Sequence, residues 1–217
     1  MGETEPSPER LARRAARRAS LEKLTGGVRE LIDATVRCDV DPEEIDEIGA
    51  ALATLTERLC AHQHGGVYSG LLGRGPIDHT EPSLSVPLSP WAGRFNPIAP
   101  PLKMRFENSE VFGNVTLGKP YIGPPGAAHG GVVAGIMDQL LASAGQSIGV
   151  AGVTANMTVR FRKPTPLETR LVLHAWADPR EDESKKRTVH AEIRTGDVVT
   201  AEADALIIRS ARVTQPN

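Results

Sequence analysis

Long apolar runs, cysteines, aromatic side chains and an excess of either charge are all scarce in this sequence, and each scarcity narrows the field. Nowhere does the chain reach the ~18 uninterrupted apolar residues of a membrane-crossing helix. Its opening residues, MGETEPSPER, hold no apolar core of the secretory kind. Two cysteines, Cys38 and Cys60, cannot build a disulfide framework and point to a reducing, cytoplasmic setting. With 25 basic and 27 acidic side chains the net charge is −2, which offers nucleic acid no general attraction. His62, His64, His79, His174 and His190 show no metal-ligand spacing with the cysteines, so no metal is expected. A Gly-x-Ser-x-Gly elbow is missing, which argues against the serine chemistry of an α/β-hydrolase. Aromatics are only 4% of 217 residues, whereas glycine and proline number 21 and 17, a composition suited to closely approaching backbones.

What is present falls into three zones. Residues 1–63 carry 13 acidic and 9 basic side chains, and residues 64–217 carry 14 and 16. The first zone is expected to be a helical extension. Ser7-Pro8-Glu9-Arg10 reads as a helix start, Gly26-Gly27 as an interruption, and Asp41-Pro42-Glu43-Glu44 as a stronger start with an Asp cap and an early proline. Ile45, Ile48, Leu52, Leu55 and Leu59 then recur every three or four residues, an apolar stripe on one helix face. Cys38 and Cys60 fall within these helical patterns and are expected to pack as small apolar groups.

Residues 64–101 read as a proline-rich, irregular linker with room for one short strand. Ten of the 17 prolines lie between 76 and 125, where they remove donors that regular structure needs. From 102 to 210 the pattern becomes regular. Strands are expected over 102–107 and 111–117, followed by a helix through VVAGIMDQLLASAG. Four more strands follow, over 155–162, 171–177, 188–194 and 198–209, with the polar hairpin DPREDESKKR between two of them. In the first of these, Met157, Val159 and Phe161 alternate with Asn156, Thr158, Arg160 and Arg162. One long helix and an antiparallel run of strands make an α+β layer architecture, with the helix covering one face of a curved sheet.

That helix holds an anomaly. Between Gly131 and Gly145 its polar side chains are Asp138, Gln139 and Ser143, so it is apolar around most of its circumference. A carboxylate in its middle is costly unless paired, exposed at an interface or protonated. Ala134, Gly135, Ala142 and Gly145 share its side and leave space for a backbone or a ligand. At the start of the same helix, His129-Gly130-Gly131 bares amide N–H groups where a helix attracts developing negative charge, the requirement of an oxyanion. Nine residues separate His129 from Asp138, roughly 13 Å at ~1.5 Å per residue. One chain therefore cannot bring both to the same reacting carbon. Two such helices lying antiparallel across a two-fold axis would do so.

HGGVVAGIMD and TANMTVRFRKPTPLETRLVLHA together resemble the hot-dog fold acyl-CoA thioesterases, the phenylacetate-pathway (PaaI-like) and mammalian THEM-type members in particular. The resemblance covers about residues 102–210 and is weak or absent over 1–63. It implies a hot-dog fold, a dimer or a dimer of dimers, and hydrolysis of a coenzyme A thioester without a further cofactor. Carried over by position, Asp138 would be the catalytic carboxylate, as nucleophile or as base towards water. The Gly130 or Gly131 amide would polarise the thioester carbonyl, and Thr154 would help hold the attacking water. His129 would shape the loop and hydrogen-bond near the carbonyl. Some relatives carry an Asn six residues before the His, where this chain has Gly123. Asn156, Arg160, Arg162 and Lys163 are candidate substrate-binding residues, the cations either gripping coenzyme A phosphates or simply lining a solvated strand face.

Arg10, Arg13, Arg14, Arg17 and Arg18 form a basic helix face, suited to an acidic partner or to plain solvation. Hot-dog domains also occur as acyl-CoA sensors, so a non-catalytic acyl-CoA-binding sensor or scaffold is the alternative to an enzyme. The acidic balance of residues 1–63 speaks against a nucleic-acid partner.

Overall fold

The computed structural model describes residues 7–62, 82–179 and 186–209. His64, His79, much of the proline-rich stretch and the tip of the DPREDESKKR hairpin lie outside these residues. The chain divides into two compact units, Met1–Gly75 and Pro76–Asn217.

The first unit contains two helices. Helix α1 (Pro8–Thr35) runs unbroken through Gly26-Gly27, contrary to the expected interruption. Each interior glycine costs about 0.5–1 kcal/mol relative to alanine, which the flanking Leu, Ala, Glu and Arg helix formers offset. Helix α2 (Pro42–Cys60) begins where expected, although Asp41 makes no side-chain cap bond. Its stripe is open to solvent: Ile45, Ile48, Leu55 and Leu59 are exposed, and no residue of α2 is buried. Leu24, Val28 and Leu31 of α1 face Leu52, Leu55 and Leu59 of α2 across an apolar cleft of about 960 Å³. Cys38 and Cys60 are exposed rather than packed.

The second unit opens with a four-residue helix, α3 (Pro82–Ser85), and a run of turns; among the described residues of 82–101 there is no strand. Six strands follow: β1 (Lys103–Glu107), β2 (Glu110–Thr116), β3 (Gly152–Phe161), β4 (Arg170–Ala177), β5 (Lys186–Thr195) and β6 (Val198–Arg209). They pair antiparallel throughout, in the order β1-β2-β4-β5-β6-β3. Between β2 and β3 the chain makes helix α4 (Gly130–Ser147). Its residues Val133, Ile136, Met137, Leu140, Leu141 and Ala144 recur at helical spacing, and all are at most 1% exposed, against Leu171, Leu173, Val189, Ile193 and Ile207 of the sheet. This is an α+β hot-dog fold, a long helix wrapped by a curved antiparallel sheet, preceded by a helical extension.

The opposite face of α4 is covered in part by the loop before β1. Trp91 lies flat on the helix at Gly135, where an added Cβ would stand 2.2 Å from the indole. The Ser89 hydroxyl donates to Gln139 Oε1 at 2.7 Å and accepts from the Trp91 amide at 3.2 Å, which pins the loop in place.

Away from α4, the sheet's outer face carries a stacked row: Phe112 on His174 at 4.6 Å, His174 on Trp176 at 4.8 Å, and Trp176 on His190 at 5.5 Å. His190 sits between two carboxylates, Asp204 at 2.8 Å and Asp178 at 3.0 Å. Burial opposes its charge, but the hydrogen bonds and charges of Asp204 and Asp178 outweigh burial and raise its pKa above the ordinary value. The folded state therefore binds the proton more tightly than the unfolded chain, and the contribution is complete below the unfolded value near 6.5. It fades as pH rises through the raised folded value. Urea melts are expected to show wild type more stable than His190→Gln at pH 5.5, with the gap shrinking by pH 8.5. A gap that widens with pH would contradict this arrangement.

Candidate active site

The start of α4 is built by its flanking loop. Ile122 bridges to Ala128, the Ala128 amide donates to the Thr165 carbonyl at 2.8 Å, and the His129 amide donates to the Tyr121 carbonyl at 2.8 Å. Gly123 is part of this packing. A Cβ there would meet the His129 Cα at 2.7 Å, so this loop has no room for the Asn found in some relatives.

His129 caps the helix with its ring. Its backbone is extended (φ −63°, ψ 135°), and Nδ1 accepts from the Gly131 amide at 3.0 Å. Acceptance at Nδ1 leaves the proton of a neutral ring on Nε2. The Val132 and Val133 amides both donate to the His129 carbonyl, at 3.0 and 3.1 Å. One N–H of this first turn is left without an acceptor among the described residues, that of Gly130. Of the two glycine amides expected to meet an anion, Gly131 is committed to the cap and Gly130 is open. Beside it stands Phe161 at the end of β3, 3.5 Å from where a Gly130 Cβ would be.

Asp138 lies eight residues further along, flanking the buried stripe of α4 on the side of edge strand β3, half-buried rather than enclosed. The Thr154 hydroxyl of β3 donates to Asp138 Oδ1 at 2.8 Å. Asp138 Oδ2 has no partner among the described residues, and a hydroxyl that donates to a carboxylate keeps its own lone pairs for a water. The pair can therefore orient a water between a hydroxyl acceptor and a carboxylate oxygen.

The remaining candidates lie along β3 and just beyond it. Asn156 Oδ1 accepts from the Leu206 amide of β6 at 3.3 Å. Arg160 is ion-paired to Asp204, and Arg162 to Glu202 at 2.8 Å. The hydrogen bond from Arg160, and after it that with His190, holds the Asp204 carboxyl below its ordinary pKa. Lys163, exposed just past the strand, has no ion-pair partner among the described residues. The structure thus brings Asp138 and Thr154 together and sets His129, Gly130 and Gly131 at the far end of the same helix. Trp91 and Ser89, which touch the Asp138 face of α4, carried no sequence signal beyond their place among prolines.

The thioesterase superfamily profile matches residues 125–182. A crystallised thioesterase superfamily protein is 30% identical and superposes with a TM-score of 0.74 over 87% of this chain and 90% of that one. Acyl-coenzyme A thioesterase THEM4 of Bos taurus is 34% identical over 109 residues, 48% of this chain and 44% of that protein. Acyl-coenzyme A thioesterase THEM5 of Homo sapiens is 28% identical over 87 residues, 40% of this chain and 35% of that protein. This chain spans less than half the length of these two curated relatives.

The cap predicts a stability effect separable from chemistry. His129→Ala is expected to cost about 1 kcal/mol in urea unfolding, because the Gly131 amide loses its acceptor. His129→Asn, which restores a side-chain acceptor at the cap, should recover most of it; equal losses in both variants would show that the ring does not act as a cap.

Proposed function

Because the chain belongs to the thioesterase superfamily, we propose that it hydrolyses an acyl-coenzyme A thioester to the free acid and coenzyme A. The observation that carries this reading is the Thr154 hydroxyl donating to Asp138 Oδ1 at 2.8 Å, beside the buried stripe of α4. The names of the two THEM relatives, both acyl-coenzyme A thioesterases, support the substrate class.

Asp138 acts as the catalytic carboxylate. As a base it takes a proton from a water held by Thr154, while the water oxygen bonds to the thioester carbonyl carbon. As a nucleophile its own oxygen bonds to that carbon, and water then splits the mixed anhydride. Either route places negative charge on the carbonyl oxygen before the carbon–sulfur bond breaks and the thiolate leaves to take up a proton. The open Gly130 N–H, at the positive end of α4, is the donor suited to that oxyanion. His129 serves it indirectly, since its ring occupies the Gly131 amide and fixes the turn.

About 12 Å of helix separates the Gly130 amide from Asp138 in one chain, so the site needs a second copy. Strand β3 is one of the two edges of the sheet, ten residues long and paired among the described residues on its β6 side, with Val153 and Phe161 more than half exposed. Such an edge is a template for another strand. Pairing two β3 edges antiparallel would turn the α4 helices antiparallel and bring each Gly130 towards the other copy's Asp138, in a dimer or a dimer of dimers. A reducing, cytoplasmic setting suits Cys38 and Cys60, which are exposed and in no disulfide.

Two variants and their mixture test the shared site. Asp138→Ala is expected to lower thiol release from an acyl-coenzyme A panel by about 10²–10⁴-fold, and Asp138→Asn nearly as much. Gly130→Pro removes the N–H at the first helical position, where proline is well tolerated after the extended His129. It should also be poorly active. Refolding the two variants together should restore roughly a quarter of wild-type activity, because a mixed dimer holds one intact pair. No restoration, or an active monomer in sedimentation, would refute the shared site. Binding of acyl-coenzyme A with no thiol release by wild type would favour a sensor instead.

Arg160 and Arg162 are held by Asp204 and Glu202, so Lys163 is the cation of this group best placed to meet coenzyme A phosphates. Lys163→Ala is expected to raise KM about tenfold, the equivalent of ~1.4 kcal/mol, with kcat unchanged. An equal fall in kcat would contradict a role in ground-state binding.

A further inference from the structure

Strand β3 contains an irregularity that decides which way Thr154 points. Thr154 pairs with Ile207 of β6, and the next pair is Asn156 with Leu206, so Ala155 is one extra residue in β3 opposite a single step of its partner. A bulge of this kind reverses the side-chain alternation on one side of itself. On the far side, Met157 and Val159 lean on the core while Thr158 and Arg160 are exposed, Arg160 to Asp204 on the outer face. Uninterrupted alternation would place Thr154 with Asn156, Thr158 and Arg160, facing away from α4. With the extra residue, Thr154 shares the α4 side with Met157 and Val159 and reaches Asp138.

A bulge leaves a ladder group without its regular partner. Here the Leu206 amide, at the step the bulge interrupts, donates to the Asn156 side-chain oxygen Oδ1 at 3.3 Å. The Asn156 side-chain carbonyl thus ties β6 to β3 at the irregular step, two residues from the hydroxyl that touches Asp138.

We propose that Asn156 is a positioning residue: its side-chain carbonyl locks the β3 bulge at Ala155 and thereby holds the Thr154 hydroxyl on Asp138. It does this from the sheet side, without contact to Asp138. Loss of the lock lets β3 slide towards regular pairing, which turns Thr154 outward. The inference rests on the reading of Asp138 and Thr154 as the hydrolytic pair.

The test compares four variants of the full chain, with thermal melts run alongside. Asn156→Ala is expected to lower kcat on the order of 10- to 10²-fold, the scale of a small misplacement in a catalytic pair, with KM within about twofold of wild type. Asn156→Asp keeps an acceptor for the Leu206 amide and should restore kcat. Thr154→Val should lower kcat at least as far as Asn156→Ala. The double variant, Thr154→Val with Asn156→Ala, should be no slower than Thr154→Val alone, because Asn156 acts through Thr154. A purely structural Asn156 would give additive losses and no rescue by Asp, and either result overturns the proposal. So would wild-type kcat in Asn156→Ala. Hydrogen exchange at Leu206 supplies a readout independent of turnover: it should speed up in Asn156→Ala and stay slow in Thr154→Val and Asn156→Asp. Unchanged exchange in Asn156→Ala refutes the lock. If wild type and Asp138→Ala are equally inactive on every thioester, the hydrolytic reading fails while the exchange result still judges the bulge.

Discussion

Everything at this site follows from the rotation of α4 about its own axis. The helix has one face of large apolar side chains, Val133, Ile136, Met137, Leu140 and Leu141, and the sheet takes it completely. Burying each contributes about 1.5–3 kcal/mol. A turn of the helix that brought Asp138 inward would expose several of these and desolvate a carboxylate besides, at a cost of several kcal/mol. The two terms act together, so Asp138 is held outward whatever lies beside it. The carboxylate is therefore kept out of the apolar stripe and beside β3, and the space around it is set by small residues, Ala134, Gly135 and Ala142. Trp91 occupies part of that space and leaves the rest open.

Once α4 is oriented, its two chemical features are separated by its own geometry. A helix is rigid over nine residues, so no side-chain motion brings the Gly130 amide to the Asp138 carboxylate of the same chain. The His129 ring sharpens this separation, because it ties up the Gly131 amide and the His129 carbonyl takes the next two. What remains at the helix start is one open donor rather than a cluster. An edge strand runs alongside, and its free edge is the natural route by which a second helix could arrive.

The cations of β3 show how alternation sorts chemistry between faces. Arg160 and Arg162 lie where a period of two puts them, on the outer face, and there the neighbouring strand already supplies Asp204 and Glu202. His190 and Asp178 extend the same network across β5. These contacts tie the edge strand to the middle of the sheet by side chains as well as by its ladder. They also leave Lys163, beyond the strand's end, as the one of the three basic candidates without an ion partner among the described residues.

Much of the fold was legible because it depends on local periodicity. The helix through Asp138, all six strands and the α+β layering follow from spacings of 3.6 and 2 that any burial requires, and the oddness of Asp138 and the HGG start follows from composition alone. Other features depend on what another part of the chain does. Gly26-Gly27 reads as a break, yet the surrounding formers carry α1 through it; α2's stripe is plain in sequence, but whether it is buried is not, and it lies exposed. The alternation of 155–162 is regular on paper and says nothing of Ala155, because a bulge is defined by its partner strand, not by its own residues. For the same reason the partner of Thr154 could not be read along the chain. The sequence by itself determined that α4 would carry an apolar stripe with a carboxylate outside it, since helical geometry is local. Only the tertiary structure decided which hydroxyl meets that carboxylate and which glycine amide stays open, since both are settled by groups distant in the chain competing for the same hydrogen bonds.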